Sequence, residues 1–245
     1  MKPAVILVGA DKGGVGKTTV ARALLDFLNE KNLPTRAFDT EAPRGNLKRF
    51  HPEITDVVNI LHTPDQMRIL DTLQASQQRL TLIDVRAGHM RVTLKALQDI
   101  GFLDAVDQGH FNFVVLHVLG PSVASLNELD EIAPFVRGAE YFVVKNIIQE
   151  AMFFEWDPET YSSYFSKVRR RGDIIIPPLN EMANEQVDLA NTPFSRFVSN
   201  LDGTADFSFV LRGYVRTWMK KVSLQFENAE LLKAIGVSSA GSMVA

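Results

Sequence analysis

The strongest constraint on the fold of this chain is a glycine-rich segment at residues 12–19, K-G-G-V-G-K-T-T. It directly follows a short apolar run and precedes a stretch with apolar residues at helical spacing. A strand, a glycine turn and a helix in this order form an anion site, because successive backbone N–H groups point inward and the helix N-terminus adds positive potential. The glycines permit the tight turn and a close approach of phosphate oxygens. The segment therefore predicts a phosphate-binding loop.

The last three side chains of the loop have expected roles in binding a nucleotide. Lys17 should reach the β- and γ-phosphates of a nucleotide, the Thr18 hydroxyl should ligate magnesium, and Thr19 should lie near the α-phosphate. The general pattern G-x-x-x-x-G-K-[ST] has glycine where this chain has Asp11. We predict ATP and Mg²⁺ as cofactors, held by Asp11, Lys12, Gly13, Gly14, Val15, Gly16, Lys17, Thr18 and Thr19.

Further short apolar runs predict a sheet built around this loop. Most of these runs are continuous rather than alternating, which is typical of parallel strands that are covered on both faces. Helical stretches separate them, so we predict an α/β fold with a doubly wound, mostly parallel sheet flanked by helices, in one domain spanning 1–245. The predicted strands are 4–8, 35–39, 80–84, 112–118, 141–145 and 173–177.

The loop K-G-G-V-G-K-T-T resembles the deviant Walker A motif of the ParA/MinD family of P-loop ATPases. In that family the first lysine reaches across a dimer to the nucleotide bound by the partner subunit. The resemblance implies that Lys12 plays this part, so that ATP binding and weak hydrolysis depend on a homodimer. A second cation near the γ-phosphate would stabilise the negative charge of its oxygens.

The segment 38–46, F-D-T-E-A-P-R-G-N, looks like the D-x-D-P-Q-G-N switch segment of the same family. Asp39 matches the first acid and Glu41 stands near the second, but Ala42 is an extra residue before Pro43. Either carboxylate could orient the attacking water. Each could instead be an acid that caps a helix after the strand.

Three further segments resemble family motifs at the ends of later strands. Asp84 closes a Walker B-like run and would hold a magnesium-bound water, and Gly88, four residues on, would sense the γ-phosphate. Asn146 stands where the family contacts adenine, and Pro178 lies in a segment that packs along the base. Ligands of open α/β sheets lie at the carboxyl ends of the strands, so we expect these residues to converge.

The composition of the chain excludes some members of this superfamily. The chain has no cysteine, which excludes thiolate zinc sites and cysteine-ligated iron–sulfur clusters. The net charge is −3, so contact with DNA would need local basic patches. Two clusters qualify, one before the sixth predicted strand and one on a predicted amphipathic helix at 207–226: Lys167, Arg169, Arg170, Arg171, and Arg212, Arg216, Lys220.

The predicted C-terminal helix has two interpretations. It could pack its apolar stripe on the sheet and expose its charges to solvent. ParA relatives also use exposed basic residues near the C-terminus to hold nonspecific DNA through phosphates. A stretch with several aromatic residues at 147–172 predicts an extra helix or a partner surface, and the end from Gly236 predicts a frayed tail.

The main hypothesis is a small ParA-like partition or positioning ATPase in the cytoplasm, associated with the nucleoid. It would bind nonspecific DNA and a cargo adaptor or a ParB-like activator, and hydrolysis would reset it. A MinD-like ATPase that associates with a membrane is the first alternative, although residues 227–245 do not form an evident amphipathic helix. The second is a metabolic ATP-dependent ligase or synthetase on the same fold.

Overall fold

The computed structural model of the protein describes residues 2–120, 123–147, 158–168, 170–199 and 207–237. Over these residues it has a parallel sheet of seven strands with helices on both faces. The predicted fold class is therefore confirmed. The strands are β1 Ala4–Gly9, β2 Thr35–Asp39, β3 Thr55–Val57, β4 Leu80–Asp84, β5 Asn112–Leu119, β6 Glu140–Asn146 and β7 Arg170–Ile176.

The helices divide between the two faces of the sheet. Along the described chain they are α1 Lys17–Glu30, α2 Asn46–Phe50, α3 Thr63–Leu70, α4 Met90–Asp99, α5 Phe102–Asp107, α6 Val123–Ile132, α7 Pro158–Phe165, α8 Glu181–Ala190, α9 Phe194–Ser199, α10 Phe209–Asn228 and α11 Leu231–Ala234, with a 3₁₀ turn at Ala133–Phe135.

Strand β1 shows why its sequence is an unbroken apolar run. Ala4, Ile6 and Val8 face a core that includes α1, α8, α9 and α10. Val5 and Leu7 face the opposite core, formed with α4, α5 and α6. Both faces of a central strand are buried in a doubly wound sheet, so each residue must be apolar.

The order of the strands is β3-β2-β4-β1-β5-β6-β7, which places β1 at the centre. Val8 pairs with Asp84 on β4, and Asp39 on β2 pairs with the same residue. The ends of these strands therefore lie side by side, directly beneath the loop that leaves β1. This arrangement brings the predicted motifs to one edge of the sheet, as expected.

The structure adds elements that the sequence pattern did not predict. Strand β3 has only three residues, T-D-V, too few to show a periodicity. The helical stretch after β4 is divided into α4 and α5 at Gly101, whose φ of 76° lies in the left-handed region. The short α3, α8 and α9 were also not predicted.

The last described segment contains the predicted C-terminal helix, shifted by two residues, and differs from the predicted tail at its end. The C-terminal helix begins at Phe209 and ends at Asn228, with the Ser208 side chain accepting from the backbone N–H of Leu211. Gly236 and Val237, expected to be frayed, donate backbone hydrogen bonds to α11. The rest of the predicted tail lies outside the described residues.

The aromatic stretch at 147–172 contains one described helix, α7. Phe165 is buried, and the Tyr164 hydroxyl donates to Asn127 Oδ1 at 2.9 Å, so α7 packs against α6. This agrees with the prediction of an extra helix. Met152, Phe153, Phe154 and Trp156 lie outside the described residues. No helix in the described part of the chain is long and apolar enough to span a bilayer.

Candidate functional site

The loop between β1 and α1 has the backbone conformation of an anion cradle. Gly14 and Gly16 have φ of 75° and 86°, in the left-handed region that disfavours any other residue. Gly16 precedes α1 and has no side chain to cap it, so the first N–H groups of the helix lack a side-chain partner. These donors face the carboxyl edge of the sheet, where phosphate oxygens would satisfy them.

Lys17 is the cation at the floor of this cradle. It is only 8% exposed, and its Nζ donates to the carbonyl oxygen of Lys12 at 3.3 Å. Burial lowers its pKa, while the charge of Asp84 is the largest influence in the opposite direction. Among the described residues, the hydrogen-bond partner of this buried ammonium group is one carbonyl oxygen, and such a group favours an anionic ligand.

Thr18 and Asp84 form the candidate metal site. The Thr18 Oγ1 donates to Asp84 Oδ2 at 2.9 Å, and Asp84 Oδ1 is buried with no hydrogen-bond partner among the described residues. Burial, and next the charge of Asp39, raise the pKa of Asp84 to about 8. A hydroxyl beside a carboxylate with an unsatisfied oxygen is a donor set that suits Mg²⁺. The residues present thus fit the predicted metal.

Asp39 organises the loop that follows β2. Its Oδ1 accepts from the backbone N–H of Glu41 at 2.9 Å, and its Oδ2 accepts from those of Leu47 at 2.6 Å and Lys48 at 3.3 Å. Both oxygens are therefore engaged, and the carboxylate caps the start of α2. This matches the capping alternative raised from the sequence.

Glu41 has a different environment from Asp39. It is half-buried, and its Oε2 accepts from the side-chain amide of Asn46 at 2.6 Å. Gly45 closes this turn with φ of 72°, and a Cβ there would lie 2.6 Å from Val57 Cγ2. The extra residue Ala42 is accommodated in this turn, so Glu41 still faces the site.

The residues of the loop, of the turn after β2 and of the segment after β4 enclose one cavity of 250 Å³. A cavity of this size holds a few polar groups rather than a whole nucleotide. Its walls are mostly predicted site residues: Gly14, Gly16, Lys17, Thr18, Thr19, Asp39, Glu41, Asn46, Asp84, Val85, Arg86 and Ala87.

Thr40 is a site residue that the sequence analysis missed. Its backbone N–H and its Oγ1 both donate to the carbonyl oxygen of Asp84, at 3.0 and 3.2 Å, and the Oγ1 accepts from Arg86 N at 2.8 Å. One hydroxyl thereby joins the end of β2 to the end of β4. The position of threonine between the two acids was the only available signal.

Asp11, the departure from the glycine pattern, also has a structural role. Its Oδ1 accepts from the backbone N–H of Met90 at 2.8 Å, so it caps α4, whose preceding residue His89 provides no side-chain cap. Gly88, with φ of 75°, would place a Cβ 3.9 Å from the Asp11 carbonyl oxygen. The loop and the segment after β4 are therefore in direct contact.

The residues predicted near adenine, Asn146 and Pro178, lie at the ends of β6 and β7, at the same edge of the sheet. Asn146 is buried, and its Nδ2 donates to the Val15 carbonyl oxygen at 3.0 Å, which ties β6 to the loop. Pro178 is exposed just after β7, beside the end of β6. Their contact with a base stays a prediction.

The first basic cluster is partly neutralised by acids. Lys167 pairs with Asp130 at 2.7 Å, and Arg171 pairs with Glu140 at 2.8 Å and with Glu230 at 3.4 Å. Strand β7 begins at Arg170, so the cluster does not simply precede the strand as predicted. Arg169 and the side chain of Arg170 lie outside the described residues.

The second cluster lies on α10, away from the first. Arg216 and Lys220 are exposed and Arg212 is half-buried, while Val215, Trp218, Val222 and Phe226 form the buried stripe. The Trp218 Nε1 donates to the Pro177 carbonyl oxygen, and Gln225 Oε1 accepts from Ile175 N, so α10 runs antiparallel to β7. Six strand residues, or roughly 20 Å, separate Arg171 from Pro177. The clusters therefore occupy opposite ends of β7.

Comparison with known proteins supports the fold. No protein-family model and no curated protein sequence matches the chain. Among solved structures, a McdA–ATP complex from Cyanothece has a TM-score of 0.55 at 12% identity, covering 98% of this chain and 99% of that one. MinD from Pyrococcus horikoshii with Mg-ADP has a TM-score of 0.55 at 16% identity, covering 94% and 97%.

A third structure is similar to a comparable degree. A plasmid partition protein from Borrelia burgdorferi, bound to AMPPNP, has a TM-score of 0.54 at 17% identity, covering 93% of this chain and 99% of that one. At such identities the likeness establishes the fold, which is that of the ParA and MinD ATPases. The resemblance predicted from the motifs is thus confirmed at the level of the fold.

Proposed function

We propose that this protein is a ParA-like ATPase that binds ATP with Mg²⁺, dimerises around it and hydrolyses it slowly. The observation that carries the proposal is the loop of residues 12–18 set against Asp84, whose Oδ1 has no partner among the described residues. A ready cradle of N–H donors, a buried lysine and an unsatisfied carboxylate oxygen fit a polyphosphate and its metal. The three similar structures are described as complexes with ATP, Mg-ADP or AMPPNP.

The chain's own residues divide the work of binding. The backbone N–H groups from Gly13 to Thr19 hold phosphate oxygens, and Lys17 balances the charge of the β- and γ-phosphates. Thr18 and Asp84 would hold Mg²⁺ directly or through water, and the ion would withdraw charge from the phosphate oxygens. Thr40 keeps the Asp84 strand end in register with the turn that presents Glu41.

Glu41 is the better candidate for orienting the attacking water. Asp39 already accepts three backbone N–H groups, and a carboxylate in that state is a poor general base. Glu41 lines the cavity and has an amide partner, Asn46, to hold its orientation. Asp39 would then act by shaping the turn, and Glu41 by positioning water.

Dimerisation would complete the site through Lys12. Lys12 is an exposed residue of the loop, whereas Lys17 is buried. A cation supplied by a second subunit would stabilise charge that builds up on the γ-phosphate.

The dimer would bind nonspecific DNA through the basic row of α10, Arg212, Arg216 and Lys220, at the same edge of the sheet as the nucleotide. A cargo adaptor or a ParB-like activator would stimulate turnover.

Two measurements test the proposal. ATP with Mg²⁺, but not ADP, should convert the protein from monomer to dimer in sedimentation velocity. The dimer should then bind arbitrary duplex DNA in a manner that weakens steeply with salt. Failure to bind ATP would overturn the assignment, whereas ATP-dependent dimerisation without DNA binding would remove only the DNA step.

A membrane surface is the second candidate matrix, and one observation favours it. Phe209, Val210 and Tyr214 are 75%, 61% and 50% exposed at the start of α10, beside the basic row. Apolar side chains next to cations also suit the interface of an anionic bilayer. Co-sedimentation with anionic vesicles, compared with neutral ones, would distinguish this matrix from DNA.

A further inference from the structure

The start of the phosphate loop is held by a carboxylate from a distant helix. Glu128, on α6, accepts the backbone N–H of Asp11 at Oε2 and that of Lys12 at Oε1, both at 2.9 Å. The residues are more than a hundred positions apart in the chain, and Glu128 is only 8% exposed. One carboxylate therefore fixes two consecutive peptide units of the loop.

Two buried side chains hold the Glu128 carboxylate through a chain of hydrogen bonds. His117 on β5 lies with Nε2 3.0 Å from Glu128 Oε2 and with Nδ1 2.7 Å from the Tyr141 hydroxyl on β6. His117 and Tyr141 are both fully buried. Since the carboxylate can only accept, His117 Nε2–H donates to Glu128, and Nδ1 shares a hydrogen bond with the Tyr141 hydroxyl. Burial raises the pKa of Glu128, but the bonds from His117, Asp11 and Lys12 together hold it below its usual range.

The far side of the same peptide is fixed as well. The Asp11 side chain caps α4 through Met90 N, so α4 contacts Asp11 while Glu128 on α6 contacts both Asp11 and Lys12. The peptide before the Lys12 side chain is therefore clamped between two elements. Among the described residues, the phosphate-binding part of the loop, from Gly13 onward, makes no hydrogen bond with Glu128.

The charge of Glu128 is informative. A neutral acceptor would satisfy two N–H groups without placing an anion beside a loop that must bind a polyphosphate. The negative charge of a carboxylate repels a polyphosphate but attracts the neighbouring lysines. Burial lowers the pKa of Lys17, and the charge of Glu128 is one of the influences that raise it. Glu128 is therefore better placed to orient and stabilise the lysines of the loop than to bind the nucleotide.

We propose that Glu128 is a positioning residue for Lys12: it fixes the Asp11–Lys12 peptides so that the Lys12 side chain points out of its own site toward the nucleotide of a second subunit. This inference rests on the proposed ATP-dependent dimer. His117 and Tyr141 hold the Glu128 carboxylate in place. Glu128 itself contacts neither substrate nor metal in this role.

The test compares Glu128→Gln with Glu131→Gln, a matched change at an exposed position on the same helix. ADP affinity of the monomer, the dimerisation constant with ATP, and kcat and KM for ATP hydrolysis are measured for both. Glu128→Gln should change ADP affinity and KM little but weaken ATP-dependent dimerisation and lower kcat by about tenfold or more, as loss of a charge-assisted pair of bonds implies. Glu131→Gln should match the wild type.

A double variant separates positioning from simple structural support. If Glu128 acts through Lys12, adding Glu128→Gln to Lys12→Ala should cause no further loss of dimerisation or kcat. Additive losses, or a fall in ADP affinity as large as the fall in dimerisation, would overturn the inference. Should Glu128→Gln fail to fold, Glu128→Asp, which keeps the charge but shortens the reach, must show the same division between ADP binding and dimerisation.

The outcomes distinguish this inference from the function on which it rests. A wild-type protein that does not dimerise with ATP would overturn the proposed function and the inference together. A wild-type protein that dimerises, alongside a Glu128→Gln variant with unchanged dimerisation and kcat, would overturn only the role of Glu128.

Discussion

The phosphate loop and the basic cluster near the start of β7 both concentrate cations, but their surroundings differ. Lys17 is buried below a row of backbone N–H groups that no side chain caps. Lys167 and Arg171 instead lie at the surface, and each already pairs with at least one carboxylate. A cation neutralised by neighbouring acids has little left to offer a ligand, whereas an unsatisfied cradle requires one. The arrangement of charges, more than their number, therefore distinguishes a site from a solvated surface.

The strongest test of this contrast is removal of Lys17. Lys17→Ala should weaken ATP binding by about 100-fold or more, since it deletes the buried partner of the phosphates. Equilibrium dialysis or a fluorescent ATP analogue measures the change, and Lys95→Ala, at an exposed position on α4, is the matched control. Equal affinities in the two variants would show that burial of the lysine is not what matters.

Lys12→Ala should separate binding from assembly. Lys12 is exposed and lies before the cradle, so ATP should still bind, while ATP-dependent dimerisation and turnover should fall strongly but to levels that remain measurable at high protein concentration. Sedimentation velocity with ATP and with ADP gives the answer. A Lys12→Ala protein that dimerises and hydrolyses ATP normally would disprove the action of this lysine in trans.

The two acids after β2 should behave differently. Glu41→Gln should lower kcat by about 100-fold with dimerisation retained, as expected when a water-orienting base is lost. Asp39→Asn leaves backbone N–H groups without their carboxylate and should cost about 1–3 kcal/mol of stability as well. Turnover assays and thermal unfolding together resolve the two roles. Normal turnover in Glu41→Gln would transfer the role to Asp39.

The raised pKa of Asp84, in the candidate metal site, should make the stability of the protein depend on pH. The pKa of Asp84 is about 8 in the folded protein, above its unfolded value, so the folded state retains a proton that the unfolded state has lost. Without nucleotide and metal, stability should therefore fall as pH rises toward 8, by up to about 1.4 kcal/mol per unit.

The window from pH 7 to 8 isolates this group. Burial raises the pKa of Asp26 only to about 6, so the Asp26 contribution ends near pH 6. Burial lowers the pKa of His51 to about 4, so its contribution ends near the ordinary histidine pKa of about 6.5. Denaturant unfolding should show the slope in the wild type and a flat profile in Asp84→Asn. A slope that persists in the variant would assign the effect to another group.

The smallest effect should come from the basic row on α10. Changing Arg216 and Lys220 to glutamine together should reduce the dependence of log affinity for DNA on log salt by about two, one for each phosphate contact. Arg171→Gln, the matched change in the paired cluster, should leave that slope unchanged and cost about 1 kcal/mol of stability at most. Equal effects of both changes would remove the distinction between paired and exposed cations.

The sequence allowed prediction of the elements that carry their own local signal. Continuous apolar runs located six of the strands within a few residues, because strands buried on both faces admit only apolar side chains. The loop was predicted from its glycine pattern and Asp84 from its resemblance to a Walker B strand, and the structure brings Thr18 and Asp84 into contact. Strand β3 was missed because three residues cannot establish a period.

The remainder depends on contacts between distant parts of the chain. Nothing local to Glu128 or His117 indicates that they meet the loop, since neither belongs to a motif and α6 has an ordinary helical pattern. The same holds for Asp11, whose partner Met90 begins a helix far along the chain. The basic clusters were predicted from composition alone, which cannot reveal that Arg171 faces Glu140 across neighbouring strands.

The central position of β1 has a consequence for the folding pathway. Its two neighbours come late in the chain: Val8 pairs with Asp84, and Gly9 pairs with His117. The loop can thus acquire its final shape only after strands far apart in sequence have met, a slow kind of step with a high entropic cost of closure. The proposed ATP site therefore exists only once β1, β4 and β5 have assembled. Binding of ATP would report that these three strands have met.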